Sequence, residues 1–290
     1  MPFWGLDVGQ LDQRWLDRGY GVEALLFRAD ELRELAVLDR NLAAVASEAP
    51  LTMHFPMDAN YLEDRWIRDR LYEFIDIALR RGARGVVVHS NYLIPVERLH
   101  RHDFASLRER FLKVFGEVDE HLAGTDLWLG VENMPLVGDL GDDVDAVFVY
   151  PSDFADLRFS NVGITFDFAH WVGALESTHE ATRSDVPADV LPPVQHCELL
   201  DATVLRDRLK HLHFGAVSGV ALPVRRSQAR GGEVPGDDVR YSALAQSLCG
   251  AGLTMSLELA EADYHRRVNL WRGLDWLSTR GLVAGGQAVP

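Results

Sequence analysis

The chain has 290 residues, 47% of them apolar, and carries 44 acidic against 29 basic side chains for a formal charge of −15. That length and apolar content suffice for one large closed core, and the acidic balance disfavours nucleic acid, whose binding proteins gain affinity by neutralising phosphates. The longest apolar runs, such as Gly85-Val86-Val87-Val88, fall far short of the roughly 18 residues of a membrane span, and no basic-then-apolar leader precedes Trp4, so no membrane partner is expected and the cytoplasm is the expected compartment.

In chain order, short β-rich runs alternate with longer amphipathic stretches, the succession that yields a parallel sheet wrapped by helices. The predicted strands are residues 3–8, 21–27, 51–55, 85–89, 127–132, 162–167, 209–214 and 253–259. Residues 30–47, 61–81 and 104–122 place apolar side chains at three- and four-residue spacing and are predicted as outer helices. Arg81-Gly82-Ala83-Arg84-Gly85 reads as a helix stop running into a strand, and Cys249-Gly250-Ala251-Gly252 repeats that grammar. Eight parallel strands close a barrel, so the expected fold is a single (β/α)8 TIM barrel over residues 1–280 with a tail at 281–290. Two connections, 171–208 and 215–240, are long and rich in Pro, Gly and charge, and are expected to be loops shaping access to the mouth. Cys197 and Cys249 form no CxxC pair and suggest neither a disulfide framework nor a thiolate zinc site.

Residues at the C-terminal ends of barrel strands converge on one rim. Six consecutive predicted strands end in or beside His54, His89, Glu132, Asp167, His213 and Glu258, and His170 stands three residues beyond Asp167. A buried carboxylate costs several kcal/mol unless it is paired or metal-bound, so this set points to a divalent metal. Carboxylate oxygens with imidazoles suit Zn2+, Mn2+, Co2+ or Mg2+. Glu132, Asp167, His213 and Glu258 are the core of the candidate site. His54 and His89 either hold a second metal bridged by Glu132 or hydrogen-bond substrate hydroxyls. His211 alternates with His213 on one strand face and is expected to stand behind it as a supporting partner. Arg225 and Arg226 are candidate contacts to a substrate phosphate, the alternative being a solvated basic loop.

The succession Met53-His54-Phe55-Pro56, Val88-His89-Ser90, Val131-Glu132-Asn133, Phe166-Asp167-Phe168-Ala169-His170, His211-Leu212-His213-Phe214-Gly215 and Leu257-Glu258-Leu259 resembles the xylose isomerase-like barrel superfamily. That superfamily contains sugar and sugar phosphate isomerases and epimerases and the endonuclease IV-type abasic-site nucleases. The resemblance implies a shared metal on Glu132, Asp167, His213 and Glu258, with Glu132 and Glu258 exchanging protons with substrate carbon and His170 beside them. It implies as the first expectation an isomerase or epimerase of a small carbohydrate-like substrate, and as the alternative a metal-dependent phosphoester hydrolase with further metals on His54, His89 and His170. The nuclease pattern is incomplete, because its Asp–His pair is replaced by Gln228-Ala229-Arg230-Gly231-Gly232. The ketose 3-epimerase pattern is also broken: Met134-Pro135-Leu136-Val137-Gly138 lacks its further glutamate and Ala216-Val217-Ser218-Gly219 its arginine. Substrate identity stays open, as does assembly into a homo-oligomer.

Overall fold

The computed structural model describes residues 1–45, 49–137, 143–144, 147–223, 229–250 and 252–282. Eight strands, each parallel to and hydrogen-bonded with its neighbour in chain order, form one sheet: β1 Pro2–Trp4, β2 Val22–Leu25, β3 Leu51–His54, β4 Gly85–Val88, β5 Trp128–Glu132, β6 Val162–Asp167, β7 Leu209–Phe214 and β8 Thr254–Leu257. The connections carry α1 Gln13–Leu16, α2 Leu35–Val45, α3 Arg65–Arg80, α4 Phe104–His121, α5 Phe168–Ala181, α6 Val239–Leu248 and α7 Val268–Thr279. This is the expected (β/α)8 barrel, nearly closed. Among the described residues no strand ladder joins β8 to β1. Side chains bridge that seam: Arg267 Nη2 donates to Gln10 O at 3.0 Å and Trp271 Nε1 to Asp12 Oδ2 at 3.2 Å.

Helix starts follow the sequence closely, because an Asp stands at the N-cap of α3, α4, α5 and α6 and accepts from backbone N–H groups of the first turn. Other boundaries differ from expectation. β1 ends at Trp4, since Asp7 accepts from Gly9 N and caps a 3-10 turn at Val8–Gln10. The helix expected at 30–47 is divided into a 3-10 segment, Ala29–Glu34, and α2. The connection expected as a loop from residue 171 in fact begins as α5, which buries Trp171, Val172 and Leu175 at helical spacing. The Pro-rich composition belongs only to the stretch beyond residue 181, which holds 3-10 turns at Ala188–Val190 and Leu199–Arg208.

Strand alternation positions the site. Met53, Val86, Val88, Leu129, Val131, Ile164, Phe166, Leu212 and Phe214 belong to the apolar core, as expected for parallel strands covered by helices. The intervening side chains point into the barrel and include Glu23, Thr52, Trp128, Thr165, His211 and His213. Their proximity shows it: Thr52 Oγ1 donates to Glu23 Oε2 at 3.0 Å, and Trp128 stacks on His211 with centroids 5.5 Å apart. Glycines make room for these groups, since a Cβ on Gly85 would fall 2.1 Å from the Trp128 ring and one on Gly130 2.1 Å from Thr165 Oγ1. The interior is consequently polar, and its upper layer is the candidate site.

Candidate active site

The last residue or near-last residue of six successive strands contributes to one cluster: His54 from β3, His89 just after β4, Glu132 from β5, Asp167 from β6, His213 from β7 and Glu258 just after β8. Glu132 lies at its centre, 1% exposed. Its Oε2 is 3.3 Å from His54 Nε2, 3.3 Å from His89 Nε2 and 3.1 Å from His213 Nδ1. Its Oε1 is 3.1 Å from His170 Nδ1. Glu258 Oε1 approaches the same His213 Nδ1 at 3.3 Å. Ligand atoms of Glu132, Asp167, His213 and Glu258 all lie within 4.8 Å of one another, and so do those of His54, His89 and Glu132.

Backbone contacts fix how these groups are presented. His54 Nδ1 is 2.7 Å from Phe55 O and must carry its proton there, which turns Nε2 inward. His170 Nδ1 is 2.9 Å from Asn133 O, so its proton is engaged and Glu132 Oε1 is left without a hydrogen-bond partner. Asn133 also pins Asp167, accepting from Asp167 N at 2.8 Å and donating to Asp167 O at 3.0 Å. Asp167 Oδ1 in turn accepts from His170 N at 2.5 Å as the N-cap of α5.

Charge is concentrated here on buried side chains. Burial pushes Glu132 up, yet His213, His89 and His170 outweigh it and hold the carboxyl well below its ordinary range. Burial pushes Glu258 up to about 7, against the pull of His213 and with the help of the Glu132 charge. Asp167 is raised by burial and by Glu132, though His170 opposes the shift. His170 is raised to about 10, because Asp167 and Glu132 overcome its burial. His213 is likewise held well above the usual imidazole range by Glu258, Glu132 and Glu23 despite burial.

The residue set fits a divalent cation on two observations. Three ring nitrogens crowd one carboxylate oxygen of Glu132, more than its two lone pairs can serve as acceptors. Glu132 Oε1, Glu258 Oε1 and His213 Nδ1 are also buried without a hydrogen-bond partner among the described residues, a condition that ordinary cores avoid. Beside the cluster, Asp167, His170 and Glu258 join Pro135, Gly173 and Val217 around a cavity of about 320 Å³.

The structure thus brings together His54, His89, Glu132, Asp167, His170, His213 and Glu258. His211 stands one layer deeper, its Nε2 3.2 Å from Glu23 Oε2 and its Nδ1 2.6 Å from Thr254 Oγ1. Arg225 and Arg226 lie outside the described residues. Sequence reasoning did not single out Glu23, which faces both His211 and His213 from β2. Its signal was a lone acid in the apolar run Gly21-Val22-Glu23-Ala24-Leu25-Leu26.

A nearly closed eight-stranded barrel with carboxylates and imidazoles on its C-terminal rim is the architecture of a rim-sited barrel enzyme. Residues 12–280 match the xylose isomerase-like TIM barrel family, and the chain belongs to it. Among solved structures, an IOLI protein with a bound zinc atom is similar at 11% identity, covering 97% of this chain and 96% of that one, with a TM-score of 0.59. The 3-keto-D-glucoside 4-epimerase YcjR from E. coli is similar at 13% identity, covering 92% of each chain, with a TM-score of 0.55. An AP endonuclease of family 2 from Brucella melitensis is similar at 15% identity, covering 94% of this chain and 92% of that one, with a TM-score of 0.54. At these identities the likeness is one of fold. Among curated proteins none matches the sequence closely enough to count as a relative.

Proposed function

We propose that this chain is a divalent-metal-dependent isomerase or epimerase of a small sugar, sugar phosphate or polyol. The observation that carries the reading is the convergence of Glu132 and Glu258 on one nitrogen of His213, at 3.1 and 3.3 Å, with Glu258 also facing the cavity. Glu132, Asp167, His213 and Glu258 would hold the ion. Bound there, a divalent cation supplies Lewis-acid polarisation of a carbonyl and its neighbouring hydroxyl, which favours removal of the proton between them.

The protein's own part is proton handling and orientation. Its two glutamates differ in environment: Glu132 is held ionised by its ring of histidines, whereas burial brings Glu258 to about 7. Two carboxyl groups with separated tendencies suit a pair in which one removes a carbon-bound proton and the other returns one. His170, at the cavity wall with its Nδ1 proton fixed on Asn133 O, is placed to contact a substrate hydroxyl. His54 and His89 complete the polar floor. A cavity of about 320 Å³ suits a ligand of monosaccharide size.

The phosphoester hydrolase reading has one observation in its favour, the second ligand group formed by His54, His89 and Glu132. Against it stand the charge of −15 and the lack of any Arg or Lys among the described residues lining the cavity.

The test is solvent-deuterium incorporation at carbon, with the Mn2+- or Zn2+-loaded protein offered D-fructose, D-tagatose and D-allulose. Incorporation into at least one sugar is expected, and Glu258→Gln should lower it by about 10²–10⁴-fold, the usual worth of general acid–base catalysis. Exchange unchanged in Glu258→Gln would remove the proton-transfer role. Silence on all three sugars combined with cleavage of an abasic duplex would replace this reading by the hydrolase.

A further inference from the structure

Below the candidate metal ligands lies a second polar layer that the proposed reaction does not use. Glu23 is 1% exposed, in the middle of β2, where a carboxylate has no access to bulk water. Its two oxygens divide between two imidazoles: Oε1 is 3.3 Å from His213 Nε2, and Oε2 is 3.2 Å from His211 Nε2. Oε2 also accepts from Thr52 Oγ1 at 3.0 Å. His211 is anchored at its far side by Thr254 Oγ1, 2.6 Å from Nδ1, and by the Trp128 ring stacked upon it.

His213 joins the two layers. Its Nδ1 faces Glu132 Oε2 and Glu258 Oε1, while its Nε2 faces Glu23. An ionised carboxylate only accepts hydrogen bonds, so it keeps a proton on Nε2 and makes Nδ1 the nitrogen whose proton a cation displaces in joining the ligand set above. It also makes that nitrogen more basic, as outer carboxylates do for metal-bound imidazoles.

We propose that Glu23 is the positioning residue of the metal centre, fixing His213 as an Nδ1 ligand through its contact with Nε2, with Thr52 and His211 holding Glu23 in place. This rests on the metal-centre reading above. Glu23, His211 and His213 also lie within 4.8 Å of one another, and Glu23 Oε1, His211 Nε2 and His213 Nε2 are buried without a hydrogen-bond partner among the described residues, so an ion seated between them is the competing arrangement. It would need the Nε2 lone pair, which the proposal assigns to a proton.

The experiment uses Cd2+ as the probe ion and nitrogen NMR of protein labelled at histidine, with Glu23→Gln as the variant. In the unsubstituted protein the expected result is His213 protonated at Nε2 before metal is added and scalar-coupled to cadmium through Nδ1 afterwards. Glu23→Gln should raise the dissociation constant for Cd2+ by about 10–100-fold, the usual cost of losing an outer partner. Cadmium coupled to Nε2, or an Nε2 that carries no proton in the metal-free protein, overturns the proposal while leaving a metal centre intact. An unchanged dissociation constant in a folded Glu23→Gln protein does the same. Uptake of no metal at all by the unsubstituted protein overturns this inference and the metal-centre reading together. Should Glu23→Gln fail to fold, the tautomer and the coupling nitrogen of the unsubstituted protein decide the matter alone.

Discussion

Glu132 is the residue on which the rest of the cluster depends. It lies within 3.3 Å of four imidazoles, those of His54, His89, His170 and His213, and is itself buried. Glu132→Ala should therefore abolish metal binding at the rim, because it takes the central carboxylate from the His54–His89–Glu132 group and from the Glu132–Asp167–His213–Glu258 group. His54→Ala should retain one ion per chain, since Glu132, Asp167, His213 and Glu258 form a set without it. Elemental analysis of protein purified without chelator reads both outcomes. Loss of one of two ions in His54→Ala would show that His54 and His89 hold a metal of their own and would favour the hydrolase. The sequence exposed Glu132 and its partners because each ends a β-rich run, where strand periodicity tells which side chain faces the rim. Glu23 escaped because it lies within its strand, and its role depends on a contact between β2 and β7 that no local spacing encodes.

At the scale of elements, the barrel's rim is shaped by how closely backbones approach one another. Gly215, just after β7, lies where a Cβ would fall 2.7 Å from Glu258 O and 3.5 Å from Gly232 Cα. Gly232 adopts φ 76°, and its carbonyl accepts from Ala260 N at 2.7 Å. The short antiparallel pair Ala216–Ser218 and Arg230–Glu233 is thereby pressed against the end of β8 that carries Glu258. Gly215→Ala should push that backbone aside, lowering the deuterium exchange rate about 10–100-fold through misplacement of Glu258. The melting temperature should fall by only a few degrees. An unchanged rate would show that the Glu258 backbone is not set by this contact. Repeated strand-helix alternation made the barrel strands legible, and the Asp N-caps marked most helix starts. The 215–240 connection was legible only as long and turn-rich, because the hairpin within it is specified by pairing across residues far apart in sequence, not by alternation along either arm. Likewise α5 was hidden by averaging its helical first half with the Pro-rich stretch beyond residue 181.

At the scale of the whole molecule, the barrel interior sets two opposing demands. The rim gathers Glu132, Asp167 and Glu258, with Glu23 beneath, all inside one wall of strands. Their mutual repulsion acts where water screens poorly; burial first, and the Glu132 charge with it, displaces Glu258 and Asp167 upward against the pull of the histidines. A cation bound to the folded chain and not to the unfolded one relieves that strain and stabilises by mass action. Zn2+ or Mn2+ at one hundred times its dissociation constant should add about 2.7 kcal/mol. For a chain of this size that corresponds to a rise in melting temperature on the order of 5–10 °C. Excess chelator should reverse the rise, and Glu132→Ala should show none of it despite removing one of the repelling charges. A melting temperature indifferent to metal and chelator would mean that the histidines alone neutralise the rim, and that these carboxylates fold together without an ion between them.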